Sequence, residues 1–139
     1  MNRWRWQSGF GTPWLALLVS VFAPSVAAEL HCDIEVNGEV SHHVFAPTLD
    51  PYTAQSIDIG ERFRFKAVAL GQGDDIELVN IYAYYQTRRQ PMLMQHVKHL
   101  HPMALDGPKP DALTGKVALY SPVLGKELAY QCALHKTAP

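Results

Sequence analysis

The methionines and histidines of residues 92–103 are the side chains of this sequence most suited to chemistry. The segment MLMQHVKHLHPM contains six possible ligands: Met92, Met94, His96, His99, His101 and Met103. Thioether and imidazole groups suit copper. In a β-strand, however, alternate side chains point to opposite faces, which puts the first three on one face and the last three on the other. One ion could then collect only part of the set, and methionine that fills a core is the competing explanation.

The end of this segment is similar to a copper motif. His101-Pro102-Met103 resembles the His-x-Met of periplasmic copper chaperones of the cupredoxin-like kind. The resemblance implies copper ligands at His101 and Met103, although the remaining spacing of that motif is absent. A second possible chelate is Glu29-Leu30-His31, which could bind Cu(II) or Ni(II) in a square plane if Glu29 were the free N-terminus. Strand pairing would compete for the same backbone amides.

No residue pattern indicates an enzyme. No Gly-x-Ser-x-Gly elbow surrounds a serine, and the neighbours His42 and His43 in Ser41-His42-His43 point to opposite faces of a strand. The Asp and Glu residues lie in predicted turns or on polar faces, so no carboxylate pair is singled out for glycoside hydrolysis. We therefore predict a non-enzymatic protein with no catalytic residues.

The segment that positions the metal candidates is a predicted pair of long strands over residues 76–101. It is the least interrupted apolar run after the N-terminal segment, and we expect it in the middle of a sheet. Pairing its apolar rows places Tyr82 and Tyr84 near Met94 and His96. With Met92, these tyrosines form a predicted binding face. Arg88 and Arg89, at the hairpin tip, could contact an acidic partner or simply be solvated.

The whole pattern predicts an all-β fold. About seven alternating strands separated by turn signals, among them Asn37-Gly38 and residues 71–75, favour an antiparallel two-sheet sandwich with immunoglobulin-like architecture. Tyr130-Gln131-Cys132 resembles the Tyr-x-Cys of immunoglobulin domains. The first cysteine here lies on the first strand, and residues 29–139 lack tryptophan, so the resemblance implies architecture without family membership. A small closed β-barrel is the alternative.

Residues 1–28 have the pattern of a secretory signal peptide. Arg3 and Arg5 precede a run of about ten apolar residues, and Val26-Ala27-Ala28 is a small-residue cleavage site. Because a transmembrane helix needs about twenty apolar residues, we expect no stable membrane anchor. The predicted mature domain, residues 29–139, retains ten of the twelve basic residues against thirteen acidic ones. This balance does not indicate a nucleic-acid partner.

Cys32 and Cys132 lie near the two ends of the predicted domain. In an oxidising compartment we expect them to form a disulfide that acts as a structural staple, because redox dithiols usually lie close together in sequence. The sequence thus predicts a periplasmic or secreted β-sandwich that binds a protein or small ligand through an exposed face or sheet edge. The alternative function is periplasmic copper handling by residues 92–103.

Overall fold

Eight β-strands and no helix form the part of the chain that the computed structural model describes, residues 26–107 and 109–137. The strands are β1 (Ala28–Val36), β2 (Glu39–Phe45), β3 (Ile57–Ile59), β4 (Phe63–Gln72), β5 (Asp75–Gln86), β6 (Pro91–Leu100), β7 (Val117–Tyr120) and β8 (Glu127–Lys136). They pair into two antiparallel sheets of four strands, in the orders β2-β1-β8-β7 and β3-β4-β5-β6. We name the first the terminal sheet, because it holds β1 and β8, and the second the meander sheet. The predicted two-sheet sandwich is confirmed, with eight strands instead of seven, and the closed-barrel alternative is wrong.

The terminal sheet is built around the pairing of β1 with β8. Asn37 and Gly38 adopt φ angles of 54° and 81°, the pair of positive values that a tight hairpin needs, and they turn β1 into β2. On the other side of β1, the register places Cys32 directly opposite Cys132. The predicted disulfide joins these two residues and is confirmed. The register of β1 against β8 is therefore fixed covalently.

Both sheets bury alternate side chains of their strands in a shared core. On β4 the alternate residues Phe63, Phe65, Ala67 and Ala69 are buried. Phe65 contacts Tyr130 of the opposite sheet edge-to-face, with ring centroids 5.2 Å apart. Burial of one such side chain is worth roughly 1.5–3 kcal/mol. Because the inner faces are filled in this way, binding chemistry is left to the outer faces, the sheet edges and the loops.

β5 and β6 are the two long strands predicted for residues 76–101, but only β5 has a central position. β6 is the edge strand of the meander sheet, which corrects the prediction for its second half. A β-bulge interrupts their pairing: Ala83 pairs with Gln95 and Tyr84 with Leu93, so Met94 is an extra residue between them. The alternation of side chains along β6 therefore changes phase at Met94.

Residues 102–115 connect the meander sheet to the terminal sheet. The described part of this connection also covers the edge of β8 beyond the end of β7. The Leu105 amide donates to the Leu134 carbonyl at 2.9 Å, and the Leu113 amide donates to the Cys132 carbonyl at 3.0 Å. The connection therefore leaves little of the β8 edge unpaired.

The described chain ends lie side by side. The Thr137 amide donates to the Ala27 carbonyl at 2.6 Å, and β8 extends to Lys136. β1 begins at Ala28, the last residue of the predicted signal peptide, and Ala28 is fully buried. Residues 1–25, which carry most of that peptide, and 138–139 lie outside the described residues, and the cleavage site stays a prediction. No described helix could cross a membrane.

Candidate binding surfaces

The predicted metal ligands of residues 92–103 lie in different surroundings. Met94 packs partly buried against the core, whereas His96 is exposed on the outer face of β6. His99 pairs with the buried Val79 and points inward, where its Nε2 has no hydrogen-bond partner and burial lowers its pKa. His101 is exposed in the following loop. In the described chain, no three or more His, Cys, Asp or Glu side chains are placed to hold a metal ion.

The bulge at Met94 also changes the predicted binding face. Because the alternation changes phase there, Met92 lies opposite Tyr85, whose side chain is buried, and not on the face of His96. The predicted grouping of Met92 and Met94 with His96 is therefore wrong. Met103 is 83 % exposed in the crossover connection, apart from the strand residues.

Tyr84, Tyr82 and His96 form an aromatic row on the outer face of the meander sheet. Tyr82 lies directly opposite His96, and the two rings stack at 4.3 Å with an angle of 5° between their planes. Tyr84 continues the row, its ring centroid 6.3 Å from that of Tyr82. The Asn80 side-chain oxygen lies 3.0 Å from His96 Nε2 and accepts a hydrogen bond from it, which holds the imidazole in place. The predicted proximity of Tyr82 to His96 is confirmed.

Basic side chains border this aromatic row. On β4, Arg64 lies opposite Tyr84 and Lys66 opposite Tyr82. Arg64 donates to Asp58 at 2.9 Å, whereas Lys66 forms no ion pair with another described residue. Lys98 on β6 is likewise free of ion pairs within the described ranges. This part of the outer face therefore carries uncompensated positive charge beside aromatic rings.

The edge of β6 is the longest strand edge left without a neighbour in the described structure. β6 has ten residues, whereas the other edge strands β2, β3 and β7 have seven, three and four. Leu93 and Leu100 on this strand are 51 % and 70 % exposed. At the adjoining tip, Thr87 Oγ1 accepts from the Arg89 amide at 3.2 Å and orders the turn, while Arg88 and Arg89 extend into solvent.

A second group of histidines, which the sequence did not single out, lies on the outer face of the terminal sheet. His31 on β1 lies between His135 on β8 and His42 on β2, with ring centroids 5.1 Å and 5.4 Å away. Glu29 Oε2 is 3.7 Å from His31 Nε2. Asp33 Oδ1 is 2.7 Å from His42 Nδ1. We call Glu29, His31, Asp33, His42 and His135 the histidine–acid cluster.

Burial and neighbouring charges shift the titration of this cluster. Burial lowers the pKa of His31, and the nearby His135 and His42 lower it further. Hydrogen bonds from His42 and Gln131 lower the pKa of Asp33, which favours its carboxylate form. Near neutral pH, His31 is therefore predominantly a neutral imidazole with a lone pair.

No protein-family model, curated protein or solved structure matches this chain. The function must therefore be argued from the chemistry of its surfaces: the aromatic row with the β6 edge on one side, and the histidine–acid cluster on the other.

Proposed function

We propose that this protein is an exported, non-enzymatic binding module that accepts an extended segment of a partner protein along the edge of β6. The observation that carries the proposal is the position of the Tyr84–Tyr82–His96 row immediately beside the longest free edge of the described strands. In β-strand addition, main-chain hydrogen bonds supply affinity, and side-chain surfaces beside the edge supply specificity. The periplasm or the extracellular medium is the proposed location.

The main-chain part of the interaction would use residues 95–100. Beyond the bulge at Met94 this stretch pairs regularly with β5 on one side, and on its other side no described strand uses its N–H and C=O groups. A bulge and an edge lysine such as Lys98 are features that protect strands from indiscriminate pairing. They limit docking to a short stretch and thereby favour a specific partner over self-association.

The chemistry of the face indicates the class of partner. Lys66 and Lys98 have no described ion-pair partner, and Arg88 and Arg89 extend the positive charge to the hairpin tip. Oppositely charged surfaces increase association rates and disfavour wrong partners. We therefore expect an extended segment with acidic residues and at least one apolar or planar side chain that packs on Tyr82.

Site-specific photo-crosslinking in the exporting cells tests the location. In one variant a benzophenone amino acid replaces Leu100 on β6. In the matched control it replaces Val40, which is 61 % exposed on the edge strand β2. We expect a discrete crosslinked protein from position 100 and none of the same mass from position 40. Crosslinking of the same protein from both positions, or from position 40 alone, would reject the β6 edge.

Two alanine variants, one at a tyrosine of the aromatic row and one at a tyrosine of the other sheet, test the contribution of the row to partner binding. Because buried aromatic anchors dominate many interfaces, Tyr82→Ala should weaken partner binding by at least about tenfold. Tyr120→Ala is the matched control, since Tyr120 is 60 % exposed on β7 of the other sheet. The partner trapped at position 100 supplies the ligand for both measurements. Equal affinities of wild type and Tyr82→Ala would remove the row from the site, and tight binding of a small molecule there would favour a small-ligand function.

Copper handling by residues 92–103 stays an untested alternative. An ion that His96 shared with Met94 or His99 would have to draw Met94 out of its core contacts or turn His99 outward. Titration with Cu(I) and Cu(II) of the wild type against a variant carrying His96→Ala and His101→Ala decides the question. Indistinguishable binding would exclude the segment as the copper site.

A further inference from the structure

We propose that Glu29, His31 and His135 of the histidine–acid cluster bind a divalent transition-metal ion such as Zn²⁺ or Cu²⁺ on the outer face of the terminal sheet. Two imidazoles and a carboxylate form a ligand set found in zinc sites, with water completing the coordination. Imidazole nitrogen also suits copper and nickel. This site is distinct from residues 92–103 and from the proposed partner-binding edge.

The strand register brings these three residues together. Glu29 lies directly opposite His135 in the β1–β8 pair, and His31 follows Glu29 on the same face two residues later. Directly opposed residues have Cβ atoms about 4.5–5.5 Å apart, and diagonal neighbours about 7–8 Å, both within reach of a shared ion. The three side chains therefore occupy the corners of a compact triangle.

The distances between the side chains are close to those of a metal site. Two imidazoles that share an ion at about 2.0–2.1 Å from nitrogen, with a tetrahedral angle, have ring centroids about 5 Å apart. The centroids of His31 and His135 are 5.1 Å apart. Two ligand atoms on such an ion are about 3.3 Å apart, and His31 Nε2 lies 3.7 Å from Glu29 Oε2.

Side-chain rotation alone can complete the site. The rings of His31 and His135 now meet edge-to-face at 89°, and no three ligand side chains converge on one point in the described ranges. Both imidazoles lie partly exposed on the outer face of the terminal sheet, so the change that is needed is confined to side-chain torsions. The backbone can remain fixed, because the disulfide at Cys32, the residue after His31, holds β1 and β8 in register. Rigid support of this kind favours a defined site over loose surface binding.

His42 provides the internal control. It lies on the other side of His31 from His135, and its Nδ1 is already bonded to Asp33. Glu29 lies four residues along β1 from Asp33, the residue opposite His42, so about 13 Å of strand at about 3.3 Å per residue keeps His42 from sharing the same ion. His42→Ala should therefore leave metal affinity within about twofold of the wild type, although it too removes a histidine from the cluster.

Calorimetric titration of the untagged exported protein with Zn²⁺ and with Cu²⁺ tests the proposal. We expect one ion per molecule in the wild type, and His31→Ala, His135→Ala and Glu29→Gln should each weaken binding by at least about tenfold, the size of effect seen even for outer-shell changes. His42→Ala and His96→Ala are controls that should bind as the wild type does. Zn²⁺ should also raise the melting temperature of the wild type and not of His31→Ala. Absence of binding, unchanged affinity in the three ligand variants, or loss of binding in His96→Ala would overturn the assignment.

Discussion

The hydrogen bond between Tyr130 and Gln95 joins the two sheets through the interior, so its removal should have a measurable cost. Tyr130 is 2 % exposed on β8, and its hydroxyl donates to Gln95 Oε1 of β6 at 2.6 Å. Tyr130→Phe keeps the ring that packs on Phe65 and removes only the hydroxyl. Because Gln95 then loses its partner but is itself only half-buried, we expect the free energy of unfolding to fall by about 0.5–1.5 kcal/mol.

Urea unfolding followed by far-ultraviolet circular dichroism, without reductant, measures this loss. Gln95→Leu is the reciprocal variant, which leaves the Tyr130 hydroxyl without its acceptor. Since the two single variants each leave one partner of the hydrogen bond unpaired, the double variant should be less destabilised than the sum of the two, with a coupling energy of about 0.5–3 kcal/mol. Strict additivity, or a Tyr130→Phe midpoint equal to that of the wild type, would refute the assigned hydrogen bond.

Alkaline titration gives an independent measurement. Burial raises the pKa of Tyr130 to about 12, whereas an unfolded tyrosine titrates near 10. The folded state therefore binds the phenol proton more tightly than the unfolded state does. The contribution of this difference to the free energy of unfolding is fully present below about pH 10 and is lost as the pH rises toward 12. Tyr130→Phe lacks this component, so the stability difference between wild type and variant should shrink across that range. A constant difference would contradict the inferred burial effect.

Three further predictions concern other parts of the molecule. Replacing Cys32 and Cys132 with alanine should lower the free energy of unfolding by up to about 4.7 kcal/mol, because the disulfide closes a loop with a sequence separation of 100, and an unchanged urea midpoint would contradict this. Gly71→Ala would place its Cβ against the Asp75 carbonyl oxygen at a φ of 152°, so we expect the free energy of unfolding to fall by more than about 4 kcal/mol. The Cβ of Gly38→Ala meets nothing within 4 Å, so that variant should lose less stability in the same assay. Burial lowers the pKa of His99, so the contribution of its neutral form to the free energy of unfolding should be fully present above about pH 6.5 and decrease at lower pH. The melting temperature of His99→Gln should therefore depend less on pH than that of the wild type.

Local patterns predict most of the strands, because alternation is a property of the chain itself. The inward series Phe63, Phe65 and Ala67 and the turn at Asn37 were both evident from residue types and spacing. The bulge at Met94 was not evident, because an extra residue on one strand is defined only against its partner. One such residue separated Met92 from His96 and thereby divided the predicted binding face.

The histidine–acid cluster depends on pairing between strands at opposite ends of the sequence, which alternation alone does not reveal. One signal could have found it. If Cys32 and Cys132 are directly opposed on antiparallel strands, residues whose numbers add up to 164 face each other. That rule places Glu29 opposite His135 and therefore brings a carboxylate beside two imidazoles. A disulfide predicted between strands thus also predicts their register.

The two outer faces should act independently, because the sandwich core separates them. Stacked sheets lie about 10 Å apart, and outward side chains on the two faces share no packing partner, so changes on opposite faces should add. Combining Tyr82→Ala with His31→Ala should therefore weaken partner binding as Tyr82→Ala does alone, and metal binding as His31→Ala does alone. Coupling between the two would require a conformational change transmitted through the core, and the most direct route is the Tyr130–Gln95 hydrogen bond, which joins β8 to β6. If coupling is found, Tyr130→Phe should reduce it.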